Sequence, residues 1–544
     1  MTCNVGQDIL RGGAKASAQG VGRTRIRVMH SVFILVFGLF ILKTFWLGVQ
    51  GTDRARIDSD AGQWAIARAD IVDRNGDILA KNVVSGHIVL RPPQIRDADA
   101  AAQMIHDVMP TQYTVAGALD LINSGRKFIY LKKLATDGQR EKIIKSKIAG
   151  LDVESIQTRK YPKRNLFSHA VGFAGNDGVG LEGADRIYDQ YLRENRDPLR
   201  LSLDSRIQSV FYEQLSIAMQ KYNARAAMGM LINSRTGEMI AMVSMPDFDP
   251  ENIGATPQQN RMFMPLRGVF EMGSIFKIFN TALAFENNID KKYFVDAPYK
   301  VLDKFGRTAT TIHDISSFKK TSKKQPYMSA ADIMLNSCNV GSTQIALDLP
   351  DGAQREFFER AHLADALDLE FGRTERPMMP RQWGPVEKAT VSFGHGIAVT
   401  PMHLLLAVNA MSNGGIYIWP TLQKRDIGAI KGERIITPEI SGALRDIMFR
   451  VAEETSAKAA RIQGINIGGK TATAEKRVNG KIDRNKNLTA FVGAFPIEAP
   501  QYTVLIVLDE PKATAESFGW RTAAWNAVPV TGKILDSILP LLFE

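Results

Sequence analysis

The stretch that decides the reading is EMGSIFKIFNTALAFE, residues 271–286. Gly273 marks a turn, and Ser274 opens a helical run, roughly 274–286, whose apolar residues include Ile275, Phe276, Ile278, Phe279, Leu283 and Phe285. A helix that is hydrophobic all round is a buried one. Ser274 and Lys277 share a face of it, with β-carbons about 5–6 Å apart, so the lysine amine reaches the serine hydroxyl. Burial disfavours the ammonium and lowers its pKa. A neutral amine can then accept the serine's proton, and the N–H groups at the helix start can stabilise an oxyanion. The bland alternative is a capping serine above a snorkelling lysine. Three other Ser-x-x-Lys pairs, Ser124/Lys127, Ser316/Lys319 and Ser317/Lys320, lie in polar, charged surroundings that suit solvated loops.

Outward from this stretch, AAMGMLI (226–232) and EMIAMVSM (238–245) read as strands joined by the five residues 233–237, a hairpin. LTAFVGAF (488–495) and YTVLIVLD (502–509) read as two more strands, and 521–543 as a closing helix with Pro529 and Pro540 inside it. Strands at both ends with helices between them predict an α+β domain around an antiparallel sheet. Two further constellations fall inside this region. Ser337-Cys338-Asn339 sits in MLNSCNVGS, a polar turn between apolar segments, where a hydroxyl and an amide can relay a proton and hold a substrate amide; a helix cap followed by a turn is the plain alternative. Lys470-Thr471-Ala472-Thr473 follows INIGG and should start a strand. A cation and two hydroxyls on a strand edge suit a carboxylate; an edge strand guarded by a lysine is the plain alternative.

Residues 50–200 are rich in charge and short strand signals, and Asn75-Gly76 in RADIVDRNGDILAKN (68–82) marks a hairpin. Gly178-x-Gly180-x-x-Gly183 spells a dinucleotide fingerprint, but no Val/Ile-rich strand runs into it, so no nucleotide site is expected. Before this lies VMHSVFILVFGLFILKTFWLGV (28–49), which as a helix is about 33 Å long, enough to cross a bilayer core. Arg23, Arg25 and Arg27 precede it, which predicts a cytoplasmic N-terminus and everything after about residue 50 outside. No small-x-small cleavage site follows the run, so an uncleaved anchor is expected rather than a signal peptide.

The 544 residues are 45% hydrophobic and 23% charged, the composition of an ordinary globular protein. Of the net charge of +11, the first 30 residues carry +4 (Arg11, Lys15, Arg23, Arg25 and Arg27 against Asp8) and the rest is spread thinly, which argues against a nucleic-acid partner. Cys3 and Cys338 cannot pair if a membrane lies between them. The eight histidines show no metal-binding spacing, so no metal and no cofactor are expected.

Ser274-x-x-Lys277, Ser337-x-Asn339 and Lys470-Thr471, in this order, resemble the three motifs of penicillin-binding proteins and serine β-lactamases. RADIVDRNG (68–76), RKYP (159–162) and GLEG (180–183) resemble the pedestal motifs of class B penicillin-binding proteins. SRTGEMIAMVSMPDFDP (234–250), SFGHGI (392–397) and VLDEP (507–511) resemble landmarks of their transpeptidase domain. The chain is similar to the division-specific (FtsI) type, and the resemblance covers nearly everything after residue 50. It implies an α+β protein with a cytoplasmic tail (1–27), a single transmembrane helix (28–49), an extended β-rich pedestal (50–200) and a transpeptidase domain (201–544). It also implies the chemistry. Ser274 is acylated by a peptidoglycan stem peptide, Lys277 is its base, Ser337 protonates the leaving D-alanine and Asn339 orients Lys277 and the substrate. Lys470, Thr471 and Thr473 bind the terminal carboxylate, and β-lactams acylate the same serine. A membrane glycosyltransferase of FtsW type and other division proteins are the implied partners, at the septum of the inner membrane. The family's Lys-Thr-Gly is Lys-Thr-Ala here, and Ala472 is expected to crowd the nucleophile. A catalytically silent division scaffold and an elongation transpeptidase are the rival readings.

Overall fold

The computed structural model describes residues 29–43, 68–175, 177–314, 318–425, 430, 432–478 and 481–543. Of the expected membrane span, residues 29–43 are helical (α1), and 28 and 44–49 lie outside the described residues. Among the described residues, no helix is long and apolar enough to cross a membrane.

In the segment that follows, strand β1 (Ile71–Val72) turns through Asn75-Gly76 into β2 (Ile78–Leu90). Gly76 has φ 101°, and the Asp73 carboxylate accepts from the N–H groups of Asn75 and Asp77, which closes the predicted turn. β2 also pairs with β3 (Ile129–Lys132) and β4 (Leu151–Lys160), and β1 pairs in parallel with β5 (Leu199–Arg200). Three helices accompany this sheet, α2 (Ala98–Val108), α3 (Val115–Ile122) and α4 (Asp137–Ser146). Each begins at a capping side chain, Asp97, Thr114 and Thr136. The glycines of the 178–183 run serve close backbone approach. A β-carbon on Gly180 would stand 2.7 Å from Arg186 N, and one on Gly183 would stand 2.7 Å from Gly172 Cα. Under that loop, Arg68 is buried against Asp185 (Nε–Oδ1 2.9 Å), and Arg159 and Tyr161 reach the same carboxylate.

The C-terminal region is built on a five-stranded antiparallel sheet. Helix α5 (Ser205–Lys221) precedes the hairpin β6 (Ala226–Asn233) and β7 (Met239–Met245), in which Ile232 faces Met239. Helices fill the middle of the chain, among them α6 (Lys277–Glu286). The hairpin β8 (Tyr299–Leu302) and β9 (Thr308–Ile312) precedes α7 (Ala330–Leu335) and α8 (Asn339–Asp348). Then come α9 (Pro401–Ser412) and α10 (Pro438–Glu454). Every residue of α9 is buried, so it is the central helix of the core. The chain returns to the sheet as β10 (Gly468–Val478), β11 (Lys481–Phe495) and β12 (Tyr502–Asp509), and ends in α11 (Ala527–Leu542). The order is β10-β11-β12-β6-β7, so the early hairpin pairs with the late strands and β10 is an edge. Strands at both ends of the region around a helical middle are what the sequence predicted, and the fold is α+β.

Candidate active site

Residues 273–276 form one turn of 3-10 helix, and α6 begins only at Lys277. Ser274 therefore sits in a tight turn ahead of the α-helix rather than at its cap, because Gly273 takes φ 50°, a left-handed conformation that glycine adopts without penalty. The predicted neighbourhood holds. Lys277 is fully buried, and its Nζ lies 2.8 Å from Ser274 Oγ and 2.8 Å from Asn339 Oδ1. The ring of Phe393 covers the same amine, 5.8 Å from its centroid. Burial lowers the Lys277 pKa to about 8, and the nearby Asp314 carboxylate and Cys338 act in the opposite sense.

The turn between α7 and α8 supplies the second group. Ser337 adopts φ 58°, and Cys338 is the N-cap of α8, its sulfur accepting from Gly341 N at 3.1 Å. Cys338 is buried, and burial raises its pKa, with Asp314 acting in the same sense, so the thiol stays protonated. The third group comes from β10. Lys470 is also buried, and its Nζ donates to Ser337 Oγ at 3.1 Å. Burial, with the like charge of Lys277, lowers the Lys470 pKa to about 7. Five of the seven predicted residues thus form two hydrogen-bonded sets, Ser274–Lys277–Asn339 and Ser337–Lys470, joined through the 337–339 turn.

Thr471 and Thr473 follow on β10, partly exposed, alternating with buried Lys470 and Ala472. Thr473 Oγ accepts from Ala523 N at 3.0 Å, while its carbonyl oxygen lies 3.4 Å from where a β-carbon of Gly273 would stand. Its main chain is therefore beside the turn that carries Ser274. Ala472 is 2% exposed and belongs to the hydrophobic core. The Ser274–Lys277 bond stands at 2.8 Å with this methyl in place, so the expected crowding leaves no mark on that geometry.

Sequence reading missed the supports of this constellation. Asp314 and His313, at the end of β9, bind the start of α8. Gly394, within SFGHGI, packs against the backbone of Gly273. A cavity of about 430 Å³, lined by Phe270, Met378, Ile397, Ala474 and Leu488 among others, lies beside the turn, and none of the seven predicted residues lines it. Of the discounted Ser-x-x-Lys pairs, Ser124 is exposed and its hydroxyl donates to Leu121 O at 2.7 Å; Ser316 and Ser317 lie outside the described residues.

Comparison with known proteins agrees with this geometry. Residues 227–529 match the penicillin binding protein transpeptidase domain, and residues 65–206 match the penicillin-binding protein dimerisation domain. The chain is 29% identical to the probable peptidoglycan D,D-transpeptidase FtsI of Caulobacter vibrioides, across 97% of this chain and 90% of that protein. It is 26% identical to the peptidoglycan D,D-transpeptidase FtsI of Escherichia coli K12, across 95% and 91%. In fold it is similar to a peptidoglycan synthetase from Bifidobacterium adolescentis, with TM-score 0.63 and 19% identity over 88% of this chain and 96% of that one. A transpeptidase match spanning more than half the chain, behind a dimerisation match and around the three motifs at Ser274, Ser337 and Lys470, means that this chain belongs to the class B penicillin-binding proteins.

Proposed function

We propose that this protein is a serine peptidoglycan D,D-transpeptidase of the FtsI type that crosslinks stem peptides through an acyl-enzyme on Ser274. The observation that carries the proposal is the buried Lys277 amine, 2.8 Å from both Ser274 Oγ and Asn339 Oδ1. Ser274 Oγ attacks the penultimate D-alanine carbonyl and passes its proton to Lys277 Nζ, whose ammonium burial has destabilised. The tetrahedral oxyanion is held by the N–H groups of Ser274 and Thr473. The C–N bond breaks, terminal D-alanine leaves with a proton relayed through Ser337, and the acyl-enzyme remains. An amine from a neighbouring stem peptide then attacks the ester and regenerates Ser274. Asn339 orients Lys277 and the substrate amide. Lys470, Thr471 and Thr473 bind the terminal carboxylate. A β-lactam acylates Ser274 by the same first step.

The same reading assigns residues 1–27 to the cytoplasm, 28–49 to a single anchor in the inner membrane, 50–200 to the pedestal and 201–544 to the periplasmic catalytic domain. Length, apolar content and the preceding arginines support the anchor. The site of action is the division septum, and the partners are an FtsW-type membrane glycosyltransferase and other division proteins. Mass spectrometry of the penicillin-treated protein tests the chemistry. The adduct is expected on Ser274 and absent from Ser274→Ala. An adduct on another serine, or none on the folded protein, would overturn the proposal.

A further inference from the structure

The lysine that activates Ser274 is held by an amide, and the amide is itself held from outside its own helix. Asn339 is the first residue of α8, and a helix start leaves backbone N–H groups without partners. Three are satisfied here. Gly341 N donates to Cys338 Sγ, whereas Asn339 N and Val340 N both donate to the carboxylate of Asp314, the latter at 3.4 Å to Oδ2. Oδ2 also accepts from Cys338 Sγ at 3.1 Å. Both Asp314 oxygens are thus acceptors for the motif turn, from a residue some 25 positions earlier in the chain. Next to it, the His313 carbonyl accepts from Asn339 Nδ2 at 3.5 Å. With Nδ2 turned toward that carbonyl, Asn339 presents Oδ1 to Lys277, at 2.8 Å.

We propose that Asp314 is a positioning residue of this site, fixing the Ser337–Asn339 turn and the Asn339 amide so that the Lys277 amine stays aimed at Ser274. The inference rests on the transpeptidase reading and adds to it a residue outside its three motifs. Asp314 acts on Lys277 in a second way, through its charge. The titratable groups facing that amine are Asp314, Cys338 and Lys470, alongside the hydroxyl of Ser274, the amide of Asn339 and the ring of Phe393. Of the charged groups, Asp314 favours the ammonium and Lys470 opposes it.

Asp314→Asn separates positioning from mere packing. An amide offers one acceptor oxygen where the turn needs two, and it carries no charge. In the full-length protein, the rate constant for acylation by a fluorescent penicillin is expected to fall at least about tenfold, the order expected when a hydrogen bond to a charged acceptor is lost. The rising limb of its pH profile is expected to move to lower pH, because Lys277 loses the carboxylate that favours its charged form. Asp314→Glu restores the charge but not the geometry, because its extra methylene displaces the carboxylate from the turn, so its limb should return to the wild-type position while the rate stays reduced. A wild-type rate and limb in Asp314→Asn would overturn the inference, and so would a reduced rate with an unmoved limb, the mark of a purely structural role. If wild-type Ser274 itself took no adduct, the transpeptidase reading would fall and this one with it; a wild-type adduct with an unmoved variant limb overturns this one alone.

Discussion

The α-carbon of Gly394 lies against the backbone of Gly273. A β-carbon at 394 would stand 2.7 Å from both the nitrogen and the carbonyl carbon of Gly273, and closer still to its oxygen. Gly394 also has φ 83°, where side chains are strained. Gly394→Ala therefore pushes on the turn that carries Ser274. We expect a stability loss of about 2–3 kcal/mol, from overpacking and backbone strain together. Acylation should fall further than stability does, which stopped-flow labelling with a fluorescent penicillin, run beside a thermal melt, will show.

The two buried lysines make activity pH-dependent with a defined sign. Lys277 must be neutral to accept a proton, and its pKa is about 8. The acylation rate should therefore rise through about pH 8 and level off above it. Lys470, at about 7 before substrate binds, loses its charge over an overlapping range, so affinity for a carboxylate-bearing ligand should fall as the pH rises. Rate constants and dissociation constants measured separately from pH 6 to 10 should both rise, the one through loss of the Lys277 proton and the other through loss of the Lys470 charge.

The same shifts fix how stability responds to pH. In the folded protein Lys277 titrates at about 8 against 10.5 for the free side chain, so burial of the ammonium opposes folding. Below pH 8 both states are protonated and the full penalty applies. Between pH 8 and 10.5 only the unfolded chain holds the proton, and stability rises with pH. Lys470 contributes in the same sense from about 7. In Lys277→Met this rise should flatten and acylation should disappear, as denaturant titrations at pH 7 and pH 10 can establish.

Asp185 is buried between Arg68 and Arg159, with the Tyr161 hydroxyl donating to it at 2.8 Å. Removing the carboxylate in Asp185→Ala leaves the Arg159 guanidinium without its carboxylate and Arg68 with Asp189 alone. A loss of about 3–5 kcal/mol is expected, as for a buried pair broken on one side. Because none of these residues touches the catalytic turn, the variant should keep a near-normal acylation rate at low temperature and lose it on mild heating.

Much of this was legible beforehand. The Asn75-Gly76 turn, the β6–β7 hairpin, the β11 and β12 strands and the buried α6 are local features, set by turn chemistry and by apolar periodicity. The three motifs were found because each carries its chemistry within four residues. What escaped reading depends on residues distant in sequence. Asp314 looks like an ordinary loop aspartate until α8 is placed against it, and Gly394 looks like any glycine until Gly273 is known to touch it. The α2–α4 helices carried readable signals, Asp97, Thr114 and the Thr136/Gln139 capping box, and were passed over in a segment dense with strand-like runs. The start of α6 was misread by one turn because Gly273 tightens the chain into a 3-10 conformation, which spacing alone does not reveal.

Among the described residues, β10 pairs with β11 on one side and with no strand on the other. Such a border would ordinarily invite unwanted association, yet here it runs directly beside the turn of Ser274. A chain lying alongside it in extended form would meet main-chain donors and acceptors that ask nothing of side-chain identity. Discrimination must then come from the terminus, where the scissile bond, the negative end group and the configuration at the last two centres have to fit at once. A β-lactam needs only to imitate that tip, which is why so small a molecule can stand in for so large a polymer.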